Sequence, residues 1–114
     1  MKNQISYWLK QIVEDDPIPY EIKHIVFIIQ NYCLSVGGYE LLPKIIYEPE
    51  FQPLEAQYMF YNDLYKIKQL NAFLETVITE IDEAFYDNEI KNIFIGKKIY
   101  VSQFGCSPQF LFKA

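Results

Sequence analysis

The spacing of apolar positions changes along the chain, and each change marks an element. In residues 4–14, Ile5, Trp8, Leu9, Ile12 and Val13 recur three and four positions apart, which predicts a short amphipathic helix with one buried face. Glu14-Asp15-Asp16-Pro17 ends it, because proline cannot continue the hydrogen-bond ladder and pushes the preceding residue out of the helical region. Over residues 22–29 the period becomes two. Ile25, Phe27 and Ile29 fall on one face and Ile22, His24, Val26 and Ile28 on the other. Both faces are largely apolar, the pattern of a central strand covered on both sides.

Gln30-Asn31 is a candidate turn, and residues 32–36 read as a second strand ended by Gly37-Gly38. Without that turn, 22–36 is a single bent strand. Residues 40–47 form a third extended stretch, with Pro43 arguing for an edge. Residues 48–55 carry two prolines and three acids and read as an exposed loop. Residues 56–61 fit either a strand or the start of the next helix, with strand the preferred reading. From about 68 to 86, Leu70, Phe73, Leu74, Val77, Ile78, Ile81 and Phe85 form the longest apolar stripe, with Glu75, Glu80, Asp82, Glu83 and Asp87 on other faces. Gly96-Lys97 reads as a turn between short strands at 92–95 and 98–102. Beyond Gly105 the pattern predicts an irregular tail docked by Phe104, Phe110 and Phe112.

These elements predict one α+β domain spanning residues 1–114. A small antiparallel sheet of three to five strands is covered by the long amphipathic helix (about 68–86) and the short N-terminal helix (about 4–14). A chain of 114 residues, 51% of them hydrophobic, can bury a core without disulfide or metal. Cys33 and Cys106 fit no C-x-x-C spacing and read as free thiols. The longest aliphatic and aromatic run, residues 25–29, is far below the roughly 20 residues that span a bilayer. The first residues lack the apolar core of a signal peptide. The expectation is a cytoplasmic bacterial protein without a membrane partner. An edge strand carrying a single proline leaves homo-oligomeric pairing across a two-fold axis open.

Charge narrows the function. All ten basic residues are lysines, against 15 acids, for a net charge of -5. Arginine is the usual fork for phosphates and guanine edges, so an acidic chain without it argues against nucleic acid as a partner.

Candidate chemistry is sparse. His24 is the sole histidine, mid-strand, and a packed strand residue is its simplest reading. None of Ser6, Ser35, Ser102 and Ser107 lies in a G-x-S-x-G elbow, and Cys33 approaches His24 only if the two strands pair. Glu80 and Glu83, and Glu83 and Asp87, share helix surface. However, position 86 is Tyr86 where a di-iron Glu-x-x-His pair needs histidine, and no EF-hand loop follows. Gly37-Gly38 lacks a P-loop frame. No catalytic, metal or cofactor residue is assigned, and no cofactor is expected. The acidic segment is more informative: Glu48, Glu50 and Glu55 alternate with Phe51 and Leu54, with Tyr47 and Tyr58 nearby. Aromatics rimmed by carboxylates suit a surface that binds a basic protein.

The apolar strand around Val26 to Ile29, the Gly38-Tyr39-Glu40 segment and the closing helix-strand unit of residues 70–102 give an element order that resembles small bacterial proteins. Among these are candidate immunity proteins of polymorphic toxin systems. The resemblance covers much of the chain without a specific motif, and implies an inhibitor that binds a toxin through an acidic surface. The leading expectation is therefore a non-enzymatic protein-interaction module, an acidic inhibitor or immunity-type protein for a basic partner. The alternative is a small carboxylate-based metal-dependent hydrolase using His24.

Overall fold

The computed structural model describes residues 4–30, 33–53, 59–60 and 70–114. Leu54, Glu55 and Tyr58 of the acidic segment lie outside them, as do residues 68–69 of the long helix and most of 56–61.

The first helix, α1 (Gln4–Asp15), buries Ile5, Trp8, Leu9 and Ile12, the residues whose spacing predicts it. The chain then enters β1 (His24–Gln30), whose residues Ile25 to Ile29 are all buried. Ile25, Phe27 and Ile29 face the helices, and Val26 and Ile28 face a second, smaller core. The doubly apolar pattern of β1 thus reflects cover on both sides. β2 (Cys33–Tyr39) pairs antiparallel with β1, Gln30 opposite Cys33 and His24 opposite Tyr39, so β1 and β2 are two paired strands and not one bent strand. β3 (Met59–Phe60) adds to the outer edge of β2. The long helix, α2 (Leu70–Ala84), buries Phe73, Val77 and Ile81 against the same core as α1.

The sheet has the order β3-β2-β1-β4-β5. The α+β class and the helix cover are as expected, but the sheet is mixed: β1 runs parallel to β4 (Lys98–Gln103), with Phe27 opposite Val101. The chain returns to the sheet through α2 and α3 (Asn88–Ile93), and so enters β4 at the same end as β1. Side-chain period carries no information about strand direction.

Four local expectations are corrected. Residues 92–95 are not a strand. Asn92 and Ile93 end α3, and Phe94 and Ile95 enter the turn after it. Ile90 and Phe94 sit four apart in the core, and the helix is capped at its start by Asp87 accepting from the Glu89 amide at 2.9 Å. Asp87 also meets Lys10 Nζ at 2.6 Å and accepts from Ser6 Oγ at 3.3 Å, tying α3 to α1. The Lys10 ammonium, then the Glu89 amide, holds its carboxyl below the usual aspartate range.

The tail after Gly105 holds β5 (Gln109–Lys113), antiparallel to β4 with a register shift at Ile99/Tyr100. Phe112 stacks edge-on against Phe85 at 4.9 Å on the helix side, and Phe110 against Tyr100 at 5.5 Å on the other. The shift hides this two-sidedness from a strict period of two.

Gly37-Gly38 does not end β2, which continues to Tyr39. The glycines permit close approach: a Cβ on Gly37 would lie 2.4 Å from Pro49 Cβ, and one on Gly38 2.3 Å from Ile22 Cγ2. Finally, residues 40–47 form no strand. Ile46 is fully buried and exchanges backbone hydrogen bonds with the β4–β5 connection: its amide donates to the Cys106 carbonyl, and the Gly105 amide donates to its carbonyl. The segment crosses the sheet face as a cover and does not extend the edge, in keeping with the donor that Pro43 lacks.

Candidate functional site

The segment of residues 40–53 closes the second face of the sheet over Val26, Ile28, Tyr39 and Tyr100, with Ile46 inserted among them. Two attachments fix it. Ile46 is stitched to Gly105 and Cys106, and Phe51 forms an antiparallel bridge with Gly38, its amide donating to the Gly38 carbonyl at 3.1 Å and its carbonyl accepting at 2.8 Å. Between them Pro49 rests on Gly37. The stretch from Tyr47 to Glu50 is therefore held at the surface at both ends, although it has no regular secondary structure.

Tyr47 remains 58% exposed and Phe104, at the end of β4, 41%. The two rings meet edge to face with centroids 5.6 Å apart. The Phe104 amide donates to the Ile29 carbonyl at 2.9 Å, which anchors it to β1. Beside this pair opens a cleft of about 470 Å³ lined by Tyr47, Glu48 and Phe104, with Gln30, Gln52 and Ser35 supplying polar groups. Among the described residues Glu48 is the one charged lining group. It makes no ion pair with them.

Of the residues named from the sequence, Glu48 lines the cleft and Glu50 is exposed beside it. Phe51 is half-buried and packs against the helix-side core. Leu54, Glu55 and Tyr58 are outside the described residues. Sequence reasoning missed Gln30, Gln52 and the placement of Phe104. Phe104 and Tyr47 are joined only by the stitching of Ile46 to the β4–β5 connection, and no local signal reports that pairing.

The other chemistry-bearing residues do not converge. Cys33 and Cys106 are free thiols. His24 and Cys33 sit at opposite ends of the β1–β2 pair, about 20 Å apart at roughly 3.3 Å per residue. His24 Nδ1 lies 2.9 Å from the Tyr100 hydroxyl. Asp82 accepts from the Tyr86 hydroxyl at 3.2 Å. Glu80 is held above the usual glutamate range by burial and then by Glu83. Among the described residues no group of three or more His, Cys, Asp or Glu is placed to hold a metal ion, and no helix is long and apolar enough to cross a membrane. A second hollow of about 320 Å³ lies over Phe85 and Phe112. Its rim carries both signs of charge, Asp82 with Lys91 and Lys113.

Burial, and then the Lys98 charge, push the His24 imidazole below its ordinary value. The unfolded chain therefore binds the proton more readily, and stability from this group is complete above about pH 6.5 and lost as pH falls through the folded value. His24→Gln keeps a hydrogen-bonding group beside Tyr100 and removes the titration. The difference in unfolding free energy between the two proteins, followed by urea titration, is expected to be constant above pH 7 and to move against the wild type below about pH 6.5. A constant difference down to pH 5 refutes this.

No protein-family model, no curated protein and no solved structure matches the chain.

Proposed function

We propose that the chain is a non-enzymatic interaction module that binds a basic protein through the face formed by Tyr47, Glu48, Glu50 and Phe104. The observation that carries this reading is the exposed Tyr47–Phe104 pair beside Glu48, on a segment pinned at both ends. Aromatic side chains dominate binding hot spots, and a surface that is already rigid has less entropy to lose on association. The segment also carries Glu40, Glu48 and Glu50 against Lys44 alone, on a chain of net charge -5. Such a surface steers a cationic partner and repels acidic ones. An inhibitor or immunity-type role fits these properties, with the acidic face covering a basic cleft on the partner.

The test is site-specific photo-crosslinking. A photoreactive phenylalanine analogue at position 47 is compared with one at position 20, where Tyr20 is 81% exposed but already carries the Lys23 ammonium 4.0 Å from its ring centroid. Position 47 is expected to give one predominant adduct with a basic protein from the source cells, absent at position 20. Glu48→Lys with Glu50→Lys should abolish it, and salt should weaken it. Adducts of equal yield at both positions, or indifferent to charge reversal, would sink the reading.

A further inference from the structure

We infer that the cleft beside Tyr47 and Phe104 is built to receive an arginine side chain of the partner, a refinement that rests on the basic-partner reading above. Its lining disfavours anions and purely apolar ligands. The cleft holds Glu48 and no lysine among its described lining residues, so an anion would meet uncompensated negative charge. Gln30, Gln52 and Ser35 leave polar groups that a purely apolar ligand would strip of water without replacing. A cation with hydrogen-bond donors satisfies both.

Arginine fits better than lysine for two reasons. The first is the ring pair. Tyr47 and Phe104, packed edge to face at 80°, both line the cleft and keep exposed surface, and a planar guanidinium can stack on an aromatic ring as a compact ammonium cannot. The second is the number of acceptors. Glu48 carries two carboxylate oxygens, and Gln30 and Gln52 one amide oxygen each, and all three residues line the cleft. The five N–H donors of guanidinium, set in one plane, match such a dispersed set, whereas an ammonium has three. A volume of about 470 Å³ also admits the side chain together with part of its flanking backbone. None of the 114 residues is an arginine, so neither these residues nor their copies in a second molecule supply this group, and the occupant we assign is an arginine of a different, basic protein.

The experiment is a titration of isotope-labelled full-length chain, followed by amide and side-chain amide NMR shifts. It uses three blocked tripeptides of the form Gly-X-Gly, with X arginine, lysine or citrulline, the last being the neutral isostere of arginine. The arginine peptide is expected to give saturable shifts centred on Gln30, Tyr47, Glu48, Gln52 and Phe104. Lysine should bind several-fold more weakly and citrulline without saturation. Glu48→Gln and Phe104→Ala should each weaken arginine binding by about ten-fold, the loss of one strong contact, while leaving the spectrum of the sheet unchanged. Citrulline shifts equal to those of arginine, or arginine shifts spread evenly over Glu14, Glu21, Glu75 and Glu89, would overturn the inference. If the peptides miss the cleft while crosslinking at position 47 still yields a charge-sensitive basic partner, the arginine pocket falls and the partner reading survives. If both fail, both fall.

Discussion

Replacing Phe27 with alanine is expected to lower the unfolding free energy by about 3–5 kcal/mol, the cost of removing a fully buried aromatic ring. Phe27 has no solvent exposure and sits midway along β1, opposite Val36 on one neighbouring strand and Val101 on the other. Its ring enters the core shared by Leu9, Phe73 and Val77, so the cavity would be walled by two helices and three strands and could not readily collapse. Against a typical total of about 5–15 kcal/mol, this is enough to leave a population unfolded at growth temperature. Urea unfolding monitored by circular dichroism reads it as a lower midpoint at unchanged slope. Ile95→Ala, at an exposed position, is the control, with an expected change within about 0.5 kcal/mol. A loss below about 1 kcal/mol at position 27 would mean that the core is not packed around this ring.

The second large effect is expected at Gly37. Alanine there would place its Cβ 2.4 Å from both Cβ and Cγ of Pro49 and 3.1 Å from the Phe51 carbonyl oxygen. Neither neighbour yields easily, since one is a rigid ring and the other is backbone paired to Gly38. Gly37→Ala is therefore expected to destabilise the fold by about 1–3 kcal/mol through overpacking. It should also lift the Tyr47–Glu50 stretch, so that the proton contacts between the Tyr47 and Phe104 rings weaken and crosslinking at position 47 falls. Gly96→Ala serves as a comparison. Nothing lies within 4 Å of that Cβ, and its cost comes from a φ of +79° alone, with the Tyr47–Phe104 contact intact. If Gly37→Ala preserves both stability and the ring contact, Pro49 does not rest on Gly37.

These two positions also show what the residues do and do not reveal. Phe27 is legible because a period of two with both faces apolar has one economical explanation, a central strand covered on both sides. α1 and α2 are legible for the same reason at a period near 3.6. Gly37 was misread because glycine marks strand ends more often than tight approach, and only the position of Pro49 decides between them. α3 was misread because it is short. Its cap at Asp87 and its Ile90–Phe94 pair carry helical information that the run Asn92 to Ile95 obscures. Within the candidate site, Glu48 and Glu50 were visible as an acidic, aromatic-flanked segment. Phe104 was not, because its partnership with Tyr47 depends on long-range backbone hydrogen bonds at Ile46, Gly105 and Cys106.

The parallel contact between β1 and β4 also sets an order of events during synthesis. β1 and β2 are joined by a short connection and can pair as soon as both leave the ribosome, since closing a small loop costs little entropy. The other edge of β1 must wait until residues 98–103 have been made. Through that interval the nascent chain carries an apolar strand, Ile25 to Ile29, with an unpaired backbone edge. Truncation ahead of Lys98 leaves that edge unpaired for good and should therefore yield insoluble protein, not a smaller domain.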